Sequence, residues 1–161
     1  MEDYQFILIL NDIRSALNVG AILRTADAVG ISKVYLCGIT PTPEHPKVAK
    51  TSLGAENFVT WEYKKSVTTV ISNLRKIGYQ ITGLEIDPKS INFWQARYSN
   101  KIALLVGNEV EGIPRALIKK CTLLIKIPMS GKKESLNVAT ATGIAVYEIA
   151  KQISGIAKIL K

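Results

Sequence analysis

Short, unbroken apolar runs that alternate with segments of helical period constrain this chain more than any other feature. Phe6-Ile7-Leu8-Ile9-Leu10 is apolar at every position and is closed by the polar turn Asn11-Asp12. A strand with no polar face belongs in a sheet covered on both sides. Val19, Ile22, Leu23, Ala26 and Val29 follow at the i, i+3, i+4, i+7 spacing of an amphipathic helix, and Gly30 is placed to stop it. Lys33-Val34-Tyr35-Leu36-Cys37 reads as a second strand and Asn57 to Trp61 as a short third. Tyr79 to Leu84, Ile102 to Val106 and Thr122 to Ile127 read as three more. Val67, Val70, Ile71, Leu74 and Ile77 mark a second helix ended by Gly78, and a last helix runs from about Leu136 to beyond Ile149. Three prolines between Pro41 and Pro46 predict a loop. Strands alternating with helices imply βαβ units and a mainly parallel sheet. The 161 residues contain no Gly/Ser linker, low-complexity stretch or repeat, so residues 1–161 read as one α/β domain.

Several classes are excluded or disfavoured. Hydrophobic residues make up 47% of the chain, too many for a disordered basic tail. Met1-Glu2-Asp3 is acidic where a signal peptide is basic, and no apolar run approaches the ~18 residues of a membrane span. Cys37 and Cys121 have neither zinc-site nor disulfide-framework spacing, which points to a reducing, cytoplasmic setting. The net charge of +8 is unevenly placed. Residues 1–112 hold 12 basic and 11 acidic side chains, whereas residues 113–161 hold 9 and 2. A one-sided positive field favours a polyanion such as RNA or DNA; the alternative is a surface that only keeps the protein soluble.

In open parallel sheets ligands bind beyond the carboxyl ends of strands. Three late strands end in loops rich in glycine and polar residues: Thr82-Gly83-Leu84-Glu85, Gly107-Asn108-Glu109 and Ile127-Pro128-Met129-Ser130-Gly131. Together they suggest one site built from three loops. Common motifs fail: Ile113-Pro114 stands where a P-loop needs Lys-Ser/Thr, and no G-x-G-x-x-G follows the first strand. His45, the only histidine, lies in the proline-rich loop, where it reads as a surface residue with no partner for a triad, and metal-ligand spacing is absent. A polar set remains: Asn18, Arg24, Glu109, Ser135 and Asn137. Each has a structural alternative. Arg24 could be a solvated helix arginine, Ser135 an N-cap, and Glu109 with Glu111 a complement to the dipole of a helix opening near Pro114.

Three segments carry a family resemblance. Asn18-Val19-Gly20-Ala21-Ile22-Leu23-Arg24-Thr25-Ala26, ending at Gly30, resembles motif 1 of the SpoU (TrmH) branch of the SPOUT RNA methyltransferases. Leu105-Val106-Gly107-Asn108-Glu109-Val110-Glu111-Gly112-Ile113 resembles motif 2. Ile127-Pro128-Met129 through Ser135-Leu136-Asn137-Val138 to Tyr147-Glu148 resembles motif 3.

The resemblance implies a Rossmann-like sheet with a C-terminal deep trefoil knot, usually in a homodimer whose site is completed near the subunit interface. It implies methyl transfer from S-adenosylmethionine to a ribose 2′-hydroxyl of tRNA or rRNA. The cofactor contacts it implies are Leu84, Gly107, Ile127, Met129 and Leu136. Arg24 matches the family's catalytic arginine, and the resemblance adds Asn18, Glu109, Ser135 and Asn137 to the catalytic set. Asn18 and Asn137 are expected to shape the site by hydrogen bonding, Glu109 and Ser135 to orient Arg24 or the ribose, and Gly20 to allow close backbone approach at the turn. Because a guanidinium is a poor base at neutral pH, Arg24 is expected to stabilise the developing alkoxide and grip an RNA phosphate. The chain resembles members that consist of the catalytic domain alone, with no N-terminal RNA-binding extension. RNA contacts are then expected at Arg24, Lys132 and Lys133. The competing expectation is a catalytically silent RNA-binding or ribosome-assembly module on the same fold.

Overall fold

The computed structural model describes residues 4–154. Seven strands, β1 (Gln5–Asn11), β2 (Lys33–Cys37), β3 (Trp61–Lys64), β4 (Gln80–Leu84), β5 (Ile91–Asn92), β6 (Lys101–Val106) and β7 (Leu123–Lys126), form one sheet. Its order is β3-β2-β1-β6-β4-β7-β5, and every pairing is parallel. Four helices lie between strands, α1 (Ala16–Val29), α2 (Pro46–Ser52), α3 (Val67–Lys76) and α4 (Arg115–Ile118), and α5 (Val138–Ser154) follows β7.

The apolar run of β1 is explained by two cores. Phe6, Leu8 and Leu10 pack with Val19, Ile22 and Leu23 of α1 and with Val146 and Ile149 of α5. Ile7 and Ile9 face the other way, onto Val70, Ile71 and Leu74 of α3 and Leu117 of α4. β6 divides likewise, with Ile102, Leu104 and Val106 on one face and Ala103 and Leu105 on the other. Each large apolar side chain so buried contributes roughly 1.5–3 kcal/mol. No helix among the described residues is long and apolar enough to cross a membrane.

The strand order is what positions a site. The chain steps outward from β1 to β3, crosses to β4, and later inserts β6 between β1 and β4. β7 then lies outside β4, yet α5 returns to pack on α1. A deep trefoil knot is consistent with this path, and the carboxyl ends of β6, β4 and β7 stand side by side.

The structure corrects several local expectations. The third strand is Trp61–Lys64, whereas Ala55–Asn57 forms a 3₁₀ turn. Val59, read as strand, is buried as the connection passes the first core, whereas the true strand lies at the sheet edge, half-buried at Trp61 and Glu62 and exposed at Tyr63 and Lys64. Within the proline-rich stretch, Pro46 opens α2, because a first helical residue does not need its N–H. His45 Nδ1 caps it by accepting from the Lys47 N–H (3.1 Å). The two-residue β5 gives no periodic signal at all. Gly20 lies inside α1, not at a turn: a β-carbon there would overlap Thr51 Oγ1 and the Val48 carbonyl of α2.

Candidate active site

The site is built from the three strand exits. Leu84 and Glu85 come from the end of β4, Gly107 to Gly112 from the loop after β6, and Ile127 and Met129 from the loop after β7. Ser135, Leu136, Val138 and Ala141 close the space from the start of α5 and the segment before it. Together they line one open cavity of about 200 Å³. Leu84, Gly107, Ile127, Met129 and Leu136, singled out from the sequence as cofactor contacts, all border it.

The loop after β6 is held by its own backbone. Gly112 N–H donates to the Asn108 carbonyl (2.9 Å), and Asn108 Oδ1 accepts from the Val110 and Glu111 amides (2.8 and 3.0 Å). Asn108 Nδ2 ties the turn to the Asp12 carbonyl (2.9 Å). The loop closes so tightly that a β-carbon on Gly107 would overlap the Gly112 carbonyl. Glycine here permits the approach of two backbone segments. Glu85 fastens the loop to β4: its Oε2 accepts from the Ile113 amide (2.7 Å) and its Oε1 from the Ile86 amide (2.9 Å).

Beside the cavity runs a second polar arrangement. Glu109 Oε2 accepts from the Arg14 amide (2.9 Å), and Oε1 from the Ser15 amide (3.0 Å) and Asn18 Nδ2 (3.1 Å). Asn18 Oδ1 in turn accepts from Asn137 Nδ2 (3.2 Å). Three residues separated by up to 119 positions thus form one chain of hydrogen bonds. Burial tends to raise the Glu109 pKa, but the Arg14 and Ser15 amides outweigh it and hold the carboxyl below its usual range. Glu109 therefore complements the amino end of α1, not the helix near Pro114. Ser15 Oγ caps the same helix by accepting from the Asn18 N–H (3.2 Å).

Ser135 borders the cavity but is not an N-cap. Asn137 fills that role for α5, its Oδ1 accepting from the Ala139 and Thr140 amides (2.9 and 3.1 Å). Arg24 is exposed on α1 and does not border the cavity. Lys132 and Lys133 are exposed in the segment between β7 and α5. Neither cysteine serves as a nucleophile at neutral pH. Burial, with Asp12 adding, pushes the Cys37 thiol up to about 12, and burial pushes Cys121 up to about 11.

Sequence reasoning assigned no site role to Glu85 or Asn108 and placed Lys126 only in the basic surface of the last third, yet all three border the cavity. Glu85 and Asn108 stood in the loops singled out after β4 and β6, so their place was legible. Their hydrogen bonds, which depend on the register of neighbouring loops, were not.

Comparison with known proteins places the arrangement in context. The model of the family described as SpoU rRNA Methylase matches residues 5–147. An uncharacterized tRNA/rRNA methyltransferase of Borreliella burgdorferi is 36% identical over 149 residues, covering 92% of this chain and 65% of the relative. A tRNA (guanosine(18)-2′-O)-methyltransferase of the same organism is 30% identical over 141 residues, covering 88% and 64%. Among solved structures, an AdoMet-bound rRNA methyltransferase from Sinorhizobium meliloti superposes with a TM-score of 0.86 at 30% identity, covering 93% of this chain and 57% of that one. The chain thus spans less than two thirds of the length of each of these relatives.

Proposed function

Because the chain belongs to the SpoU rRNA methylase family, we propose that it is an enzyme that methylates a ribose 2′-hydroxyl of tRNA or rRNA, with S-adenosylmethionine as donor. One observation carries this reading. Five residues matching the family's cofactor contacts, drawn from three strand exits, converge on one cavity beside the Glu109–Asn18–Asn137 chain.

The cavity suits the cofactor. Leu84, Ile127, Met129 and Leu136 offer apolar faces to an adenine, while the loop at Gly107, free of side chain, brings backbone amides and carbonyls within reach of its edge. When bound, the cofactor supplies an electrophilic methyl group on a sulfonium. The protein's task is then to position the hydroxyl in line and stabilise the charge that develops on it. Glu109, Asn18 and Asn137 hold the amino ends of α1 and α5 at the cavity's edge. Arg24 stabilises the alkoxide and grips an adjacent phosphate, and the proton leaves through that phosphate or water.

Arg24 does not border the cavity of its own protomer, so it acts across a homodimer, in a site completed by the second copy. Exposed apolar side chains on and beside α1 and α5 support such an interface: Leu17, Leu136, Ile144 and Tyr147 are each 38–46% exposed. Lys132 and Lys133 contact RNA next to the segment that closes the cavity. The setting is cytoplasmic.

Incubation with total RNA and isotopically labelled S-adenosylmethionine, followed by mapping of the modified nucleotide, tests the reading. A 2′-O-methylated residue in tRNA or rRNA is expected. RNA binding with no methylated product would favour the silent module instead.

A further inference from the structure

In a chain of net charge +8, the cavity is lined by three carboxylates, Glu85, Glu109 and Glu111, and by a single cation, Lys126. The local charge is therefore opposite to that of the molecule. Glu109 is committed to the amino end of α1 through three hydrogen bonds. Glu111 is exposed. Glu85 differs from both. It is half-buried in the cavity wall beside Leu84, is fixed by the Ile86 and Ile113 amides, and has no ion-pair partner among the described residues. A carboxylate offers about four acceptor positions, so two remain open. A β-carbon on Gly112 would overlap Glu85 Oε2, so glycine there lets the loop close onto the carboxylate and hold it in place.

A half-buried anion held by amide dipoles, with no cation of its own, is suited to a cationic ligand. Methyl transfer changes that ligand's charge. The carbon–sulfur bond breaks as the carbon–oxygen bond forms, its electron pair stays on sulfur, and the hydroxyl proton goes to solvent. The sulfonium thus becomes a neutral thioether. Resting on the cofactor reading above, we propose that Glu85 is a specificity-determining residue whose charge makes the cavity prefer the cationic methyl donor to its neutral spent form. The anion recruits the donor against the positive field of the molecule and favours exchange after each turnover. Even when screened as fully as in bulk water, two unit charges about 3–4 Å apart are worth roughly five- to tenfold in relative affinity, which sets the smallest effect expected.

Calorimetric titration of the full chain with S-adenosylmethionine and, separately, S-adenosylhomocysteine tests this without relying on turnover. Glu85→Gln keeps the shape and removes the charge. It should lower the preference for the donor about five- to tenfold or more, chiefly by weakening the donor. An equal loss for both ligands would make Glu85 a loop fastener only and overturn the proposal, as would no loss for either. Glu85→Asp keeps the charge, so any loss it causes should be shared by both ligands and leave their ratio within about twofold of wild type. A ratio that falls as it does in Glu85→Gln overturns the proposal. Failure of the wild-type chain to bind either ligand would overturn the cofactor reading and this proposal with it.

Discussion

At the scale of single residues, the glycine inside α1 decides how that helix meets α2. Alanine is intrinsically better than glycine in a helix by about 1 kcal/mol. At position 20, however, the added carbon would overlap the Thr51 hydroxyl and the Val48 carbonyl, and a backbone oxygen moves only with its helix. Gly20→Ala is therefore expected to destabilise the protein by about 1–3 kcal/mol in urea unfolding. Unchanged or higher stability would contradict the packing account. The glycine was legible in the sequence as a point of close approach, but its neighbour was not. α2 hides in a stretch whose prolines read as loop, and nothing in residues 16–29 says which segment will lie across them. Asn137 carries a similar lesson. Its place near the start of the last helix was legible, whereas its two roles, capping α5 and bonding Asn18 from motif 1, needed the fold.

At the scale of elements, the amino end of α1 is where sequence motifs become one structure. Four backbone amides open any helix unpaired, and here Glu109, from the loop after β6, supplies acceptors just before the first turn. The Glu109 carboxyl lies below its unfolded value, so its contribution is fully present above the unfolded pKa of about 4.3 and is lost as pH falls through the folded value. Glu109→Gln should therefore lower the melting temperature at pH 7, and the gap to wild type should begin to narrow as pH falls below the unfolded value of about 4.3 and close below the depressed folded value. A gap that persists undiminished at pH 3 would show that the charge of Glu109 is not what matters. Helices α1, α3 and α5 were legible because each buries one stripe at the helical period. Strands β1 and β6 were legible because both their faces are covered. β3 was displaced by several residues because a half-exposed edge strand and a buried connection, Val59, carry similar residues.

At the scale of the whole molecule, two charge patterns coexist. The positive excess lies in residues 113–161, yet the cavity those residues help to close is lined mainly by carboxylates. In the proposed reaction RNA and methyl donor would thus meet fields of opposite sign. Added salt should weaken RNA binding steeply, and changing both Lys132 and Lys133 to alanine should reduce the log–log salt slope by about 1–2. Salt-insensitive RNA binding would count against a phosphate-contacting surface. The α/β class followed from alternating periods alone. The order β3-β2-β1-β6-β4-β7-β5 did not, since insertion of β6 between two earlier strands leaves no trace in hydrophobic pattern. The cavity at three strand exits was legible because ligand sites in parallel sheets follow strand direction. The exposure of Arg24 was legible too, as it lies off the apolar stripe of α1, whereas its place outside that cavity was not.

The most direct measurement compares wild type and Arg24→Ala in two readings: calorimetric binding of S-adenosylhomocysteine and transfer of labelled methyl groups to the RNA substrate. Cofactor affinity within about twofold of wild type, with turnover reduced at least a hundredfold, is the predicted result. Near-normal turnover in Arg24→Ala would contradict the account at its centre.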